Sequence, residues 1–137
     1  VQLKRIGTTL AGILALAVGG TLVNAAPAAA VGGCPSDKLC LYRSTEYRTL
    51  AFTAASTQAC FWLSSYGMGP GTNGINSYVN NLPVKATIWN TNDLNNWYAH
   101  GTIRPGGYTS DTGAVTGGEF SWWKESNMIC TGSAVPD

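Results

Sequence analysis

The chain carries one short pattern twice. Tyr42-Arg43-Ser44-Thr45-Glu46-Tyr47-Arg48-Thr49 and Trp89-Asn90-Thr91-Asn92-Asp93-Leu94-Asn95-Asn96 each run from an aromatic, across four residues, to a second large apolar side chain, one more residue and a turn-former. The copies start 47 residues apart, and each is followed by a serine beside an aromatic: Ser77-Tyr78 about 35 residues after Tyr42, and Ser121-Trp122 about 32 after Trp89. Self-similarity at a fixed period constrains a fold more tightly than composition does.

Each copy reads as a strand that folds back through a tight hairpin, its first aromatic covering the turn. The eighth position then needs an unusual backbone angle, which costs least for Gly and next least for Asn. Asn96 meets that demand, whereas Thr49 is β-branched and strained if its φ is positive. A serine one strand later can hydrogen-bond over the folded hairpin and pin it. The residues expected to define the fold are therefore Tyr42, Tyr47 and Ser77 in the first copy, and Trp89, Leu94, Asn96 and Ser121 in the second.

With its closing serine, the pattern resembles the paired Greek-key motifs of βγ-crystallin domains. The stretch Cys34-Pro35-Ser36-Asp37-Lys38-Leu39-Cys40-Leu41-Tyr42 is similar to the opening of the bacterial crystallin-like peptidase inhibitors, the Streptomyces-type metalloproteinase inhibitor family. The resemblance spans residues 34–130. It implies an all-β fold, two Greek-key motifs forming a β-sandwich, and a small secreted inhibitor that blocks a metalloproteinase cleft with a surface loop.

Residues 1–30 read as a removable export signal: basic Lys4 and Arg5, an apolar run over 6–23, and the small-residue cleavage site Ala28-Ala29-Ala30. Glycines and threonines inside the apolar run make a membrane anchor the poorer reading. Cleavage after Ala30 leaves one domain over 31–137, with six basic residues against seven acidic and a net charge near −1. No basic stripe exists to neutralise phosphates, so nucleic acid and anionic membrane are not expected partners. All fourteen aromatics fall in the mature part, beside many Gly, Asn, Ser and Thr, as in a turn-rich extracellular β-domain. Short strands are expected at 39–42, 50–53, 60–63, 77–80, 85–89, 97–100, 120–123 and 128–131, in a monomer.

Four cysteines in an exported chain imply two disulfides, with three possible pairings. The Pro-containing loop between Cys34 and Cys40 is like that of the family, which implies Cys34–Cys40 with Cys60–Cys130. In the inhibitor that typifies the family, a short-range disulfide braces the reactive loop. Here the third and fourth cysteines are seventy positions apart, and a loop left unbraced is open to cleavage. Zinc is the rival use of cysteines with His100, but no close Cys or His quartet exists to hold it.

Catalysis finds little footing. His100, the single histidine, follows Trp97-Tyr98 in an expected strand and reads as structural or solvent-facing rather than as a general base. A glycosidase needs two carboxylates across a cleft. Glu46, Asp93, Asp111, Glu119 and Glu125 are available, yet Glu46 and Asp93 hold equivalent hairpin positions that turn chemistry explains. Gly67-Met68-Gly69-Pro70-Gly71 lacks the following helix of a phosphate loop. Calcium ligation of the crystallin type would fall on Thr72-Asn73-Gly74-Ile75-Asn76-Ser77, where Thr72 and Asn76 replace expected ligands; Thr116-Gly117-Gly118-Glu119-Phe120-Ser121 matches less. The expectation is a binding protein, not an enzyme, without cofactor or metal.

Two segments offer a working surface. Residues 64–73 read as an irregular Gly-rich link, whereas 101–118 form a long loop of the kind that tends to be functional. An inhibitor needs an exposed segment that enters the cleft like a substrate yet is too restrained to turn over. Ile103 and Arg104 are expected to protrude furthest, with Tyr108 beside them, toward an extracellular protease. The alternative is a secreted cell-wall or glycan-binding module, or an antimicrobial toxin-like one, on the same fold. Trp62, Trp97, Trp122 and Trp123 exceed an obvious core requirement, and adjacent strand residues Trp122 and Trp123 must face opposite ways, leaving an indole for sugar stacking.

Overall fold

The computed structural model describes residues 30–114 and 125–137, and three of its short strands are buried along their whole length. The bulk of the expected leader lies outside the described residues. So does the expected strand at 120–123, with Ser121, Trp122 and Trp123. Among the described residues the strands are β1 (Leu39–Tyr42), β2 (Leu50–Ala54), β3 (Cys60–Trp62), β4 (Ser77–Asn80), β5 (Ala86–Thr91), β6 (Trp97–Ile103), β7 (Tyr108–Thr109) and β8 (Met128–Thr131). They form two four-stranded antiparallel sheets, β2-β1-β4-β7 and β3-β8-β5-β6, with helix confined to short 3-10 turns.

Leu39, Leu41 and Tyr78 of the first sheet meet Ala86, Ile88, Ile103 and Ile129 of the second in one buried cluster, closed by Phe52, Leu63, Met68, Ile75 and Leu82. The alternate residues of β1 and β4 are also buried: Cys40, Tyr42 and Val79 pack with Cys34 on the opposite face, against Val31 and Tyr47. The segment that leads into β1 therefore covers the outside of the first sheet. Disulfides join Cys34 to Cys40 and Cys60 to Cys130. Cys60 stands directly opposite Cys130 in the β3–β8 ladder. The chain-entropy account gives about 2 kcal/mol for the short loop and about 4 kcal/mol for the long one.

Strands β1 to β4 belong to the first half of the chain and β5 to β8 to the second, but the third strand of each half crosses over. β3 joins the second sheet and β7 the first. Exchanging the halves, β1 for β5 and so on, maps one sheet order onto the other.

The loop expected at 101–118 opens with strand residues. β6 continues to Ile103 and β7 follows after a tight turn, so the strand runs three residues past its expected end. Gly101 reads as a breaker in the sequence, yet it sits at a bulge, where Ile88 pairs with Gly101 and Trp89 with Ala99. Glycine within a strand commonly marks such an irregularity.

Candidate functional site

The first hairpin joins β1 to β2. Tyr42 and Tyr47 meet edge to face with ring centres 5.6 Å apart, and the Tyr42 hydroxyl donates to Gly32 O at 3.0 Å. Ser77 Oγ donates to Ser44 O at 2.6 Å and accepts the Tyr47 N–H at 3.2 Å, which pins the turn from the neighbouring strand. Thr49 takes φ 59°, a left-handed conformation that a β-branched residue adopts only at a cost.

The second hairpin departs from its copy. Positive φ falls on Leu94 (64°), as it does on the equivalent Tyr47 (53°), and not on Asn96. Leu94 is 63 % exposed rather than packed over the turn. Ser121 lies outside the described residues, and it is Met128 that pairs with Trp89, as Ser77 pairs with Tyr42. Met128 has no hydroxyl, and other groups hold this turn. Asn127 Oδ1 accepts the Thr91 N–H at 3.0 Å, and Thr91 Oγ1 accepts those of Asp93 and Leu94. The Asp93 carboxylate accepts the N–H groups of Asn95 and Asn96 and the Asn96 amide, and these bonds hold it below the ordinary 3.8.

The expected contact residues divide at the end of β6. Ile103 is 1 % exposed and belongs to the core, because strand alternation turns its side chain between the sheets; it cannot touch a partner. Arg104, Pro105 and Gly106 are exposed, and Tyr108 is exposed on β7. Gly107 N–H donates to Arg104 O at 2.9 Å, with Pro105 second in the turn and Gly106 third at φ 73°, the requirements of a type II turn. A Cβ on Gly107 would lie 2.9 Å from Arg104 O, so glycine is needed there as well.

The turn hangs on Asn80, which is fully buried in β4. Its side-chain amide is shared among Val84 O at 2.9 Å, Arg104 O at 3.1 Å and Ile103 O at 3.3 Å. Its backbone N–H donates to Gly107 O, and its carbonyl accepts the Gly106 N–H, both at 2.8 Å. Local sequence marks Asn80 only as a polar residue at a strand end before Leu82-Pro83, with nothing to link it to a turn 24 residues later. Tyr78, Thr102, Arg104, Gly107 and Tyr108 line an open cleft of about 280 Å³ beside this turn. Burial raises the Tyr78 phenol above its ordinary value, the Arg104 charge opposes that rise, and Tyr47 adds to it.

Residues 64–73 are largely exposed, with Met68 and Gly69 buried, and are tied to the first hairpin by hydrogen bonds. The Arg43 guanidinium donates to Tyr66 O through Nε at 3.3 Å and Nη2 at 2.8 Å, and a Cβ on Gly67 would fall 2.6 Å from Nη2. In the stretch considered for calcium, Asn76 Nδ2 donates to Arg43 O at 2.6 Å and Asn73 O at 2.9 Å. Among the described residues no group of three or more His, Cys, Asp or Glu side chains is placed to hold a metal ion. Trp62 is 42 % exposed and lies 5.5 Å from Trp97, centre to centre, while His100 stacks near Tyr98 at 6.4 Å. Among the described residues no helix is long and apolar enough to cross a membrane. Comparison with protein-family models, with curated proteins and with solved structures finds no match to this chain.

Proposed function

We propose that the protein is a secreted peptidase inhibitor, directed at a metalloproteinase by the resemblance of its opening stretch, and that its partner-facing surface is the turn at residues 104–108. The observation that carries this reading is the bracing of an exposed turn by one buried side chain, Asn80. A segment already fixed in its bound shape loses little entropy on docking. Asn80 thus does the work of a second short-range disulfide, which the sequence lacks. The crossing of β3 and β7 between sheets, and the mapping of one half onto the other, support two Greek-key motifs of the crystallin type. The two disulfides and the alanine-rich leader support an extracellular setting.

The test is an inhibition panel of metallo-, serine and cysteine proteases against oxidised mature protein. Inhibition of a metalloproteinase is expected; failure against every class would overturn the reading. The exposed Trp62, close to Trp97, favours glycan or cell-wall binding as the second reading. Retention on insoluble cell wall without inhibition would select it.

A further inference from the structure

The turn at residues 104–107 presents a side chain while hiding the bond that follows it. A substrate-like inhibitor must offer the carbonyl of its scissile bond to the protease, where oxyanion donors receive it. The Arg104 carbonyl instead points inward, accepting the Gly107 N–H at 2.9 Å and the Asn80 amide at 3.1 Å. The next bond is to Pro105, a tertiary amide without an N–H. The Arg104–Pro105 bond therefore cannot lie in a catalytic cleft as a substrate while the turn keeps its shape.

What remains outward is chemistry for an anion. Arg104 is exposed, and no salt bridge to it is found among the described residues. It borders the cleft of about 280 Å³ with Thr102, Gly107, Tyr78 and Tyr108, and burial raises the Tyr78 phenol while the Arg104 charge acts against that rise. Guanidinium forks match carboxylates in a bidentate geometry that an ammonium cannot reproduce.

We infer that the Arg104–Tyr108 cleft receives an acidic side chain of the partner protein, so that the turn docks by side-chain recognition and not as a substrate mimic. The inference rests on the inhibitor reading for the identity of the partner alone. N-acetyl-glutamate N-methylamide and its glutamine counterpart serve as probes, added to the full mature protein and followed by two-dimensional amide NMR. The glutamate probe should shift Thr102, Gly107 and Tyr108 saturably, and the glutamine probe should not. Arg104→Gln, checked for fold by its unchanged remaining signals, should weaken uptake on the order of tenfold or more, and Arg104→Lys should recover only part of it. Equal shifts from both probes, equal uptake by Arg104→Gln, or no saturable shift would overturn the inference. Uptake by a protein that inhibits no peptidase would keep the cleft and discard the inhibitor reading.

Discussion

Ser77 and Asn80 stand three residues apart on one strand and serve opposite faces of it. Ser77 bridges Ser44 and Tyr47 in the first hairpin, and Ser77→Ala should destabilise the protein by about 1–3 kcal/mol, since it leaves the Tyr47 N–H without its partner. Chemical denaturation measures this directly. Asn80→Ala removes the donor shared by the Val84, Ile103 and Arg104 carbonyls and the acceptor of the buried Leu82 N–H, and should cost about 2–4 kcal/mol, while Arg104→Ala should stay within about 0.5 kcal/mol because that side chain is exposed. Equal losses from the two would contradict the bracing role. The role of Ser77 was legible because its partners lie in a hairpin the repeat already marks. The role of Asn80 was not, since its carbonyl partners belong to a turn that only the folded chain brings beside β4. Ile103 is buried for a related reason: the strand continues past Gly101 within a Gly-rich stretch, and its alternation turns Ile103 inward.

At the scale of the element, the two hairpins share a spacing but differ in chemistry. The second relies on the Asp93 carboxylate, whose folded value is depressed. Its contribution is present above the unfolded value near 3.8 and is lost as pH falls through the lower folded value. The amide signals of Asn95 and Asn96 should therefore titrate with a midpoint below 3.8, and Asp93→Asn should abolish that titration. A midpoint at or above the ordinary value would show that these bonds do not persist in solution. The turn after β6 makes its own prediction. Pro105→Ala removes the imide but leaves the Arg104 carbonyl held by Asn80, so an arginine-specific protease should leave the bond after Arg104 uncut in the folded variant, by mass spectrometry. Rapid cutting after Arg104 would show that the carbonyl swings free. Strands β1, β4 and β8 were readable to the residue from short apolar runs bounded by turn-formers. The sheets that β3 and β7 join were not readable, because strand pairing across halves is a long-range choice with no local signature.

The whole molecule is a pair of similar halves tied by exchanged strands and by a disulfide between two of the strands involved, Cys60 in β3 and Cys130 in β8. Replacing both of those cysteines with serine should cost about 4 kcal/mol, against about 2 kcal/mol for Cys34 and Cys40, and thermal unfolding of the two variants ranks them. On the proposed reading the scaffold holds the turn at 104–108 rigid against a peptidase. The most direct measurement compares the inhibition constant of the parent with that of the Arg104→Ala/Tyr108→Ala double variant, on the metalloproteinase that the parent inhibits best. A loss of about thirtyfold or more, near 2 kcal/mol, with an unchanged melting temperature is the predicted result. An unchanged inhibition constant, or a parent that inhibits no peptidase, would contradict the claim.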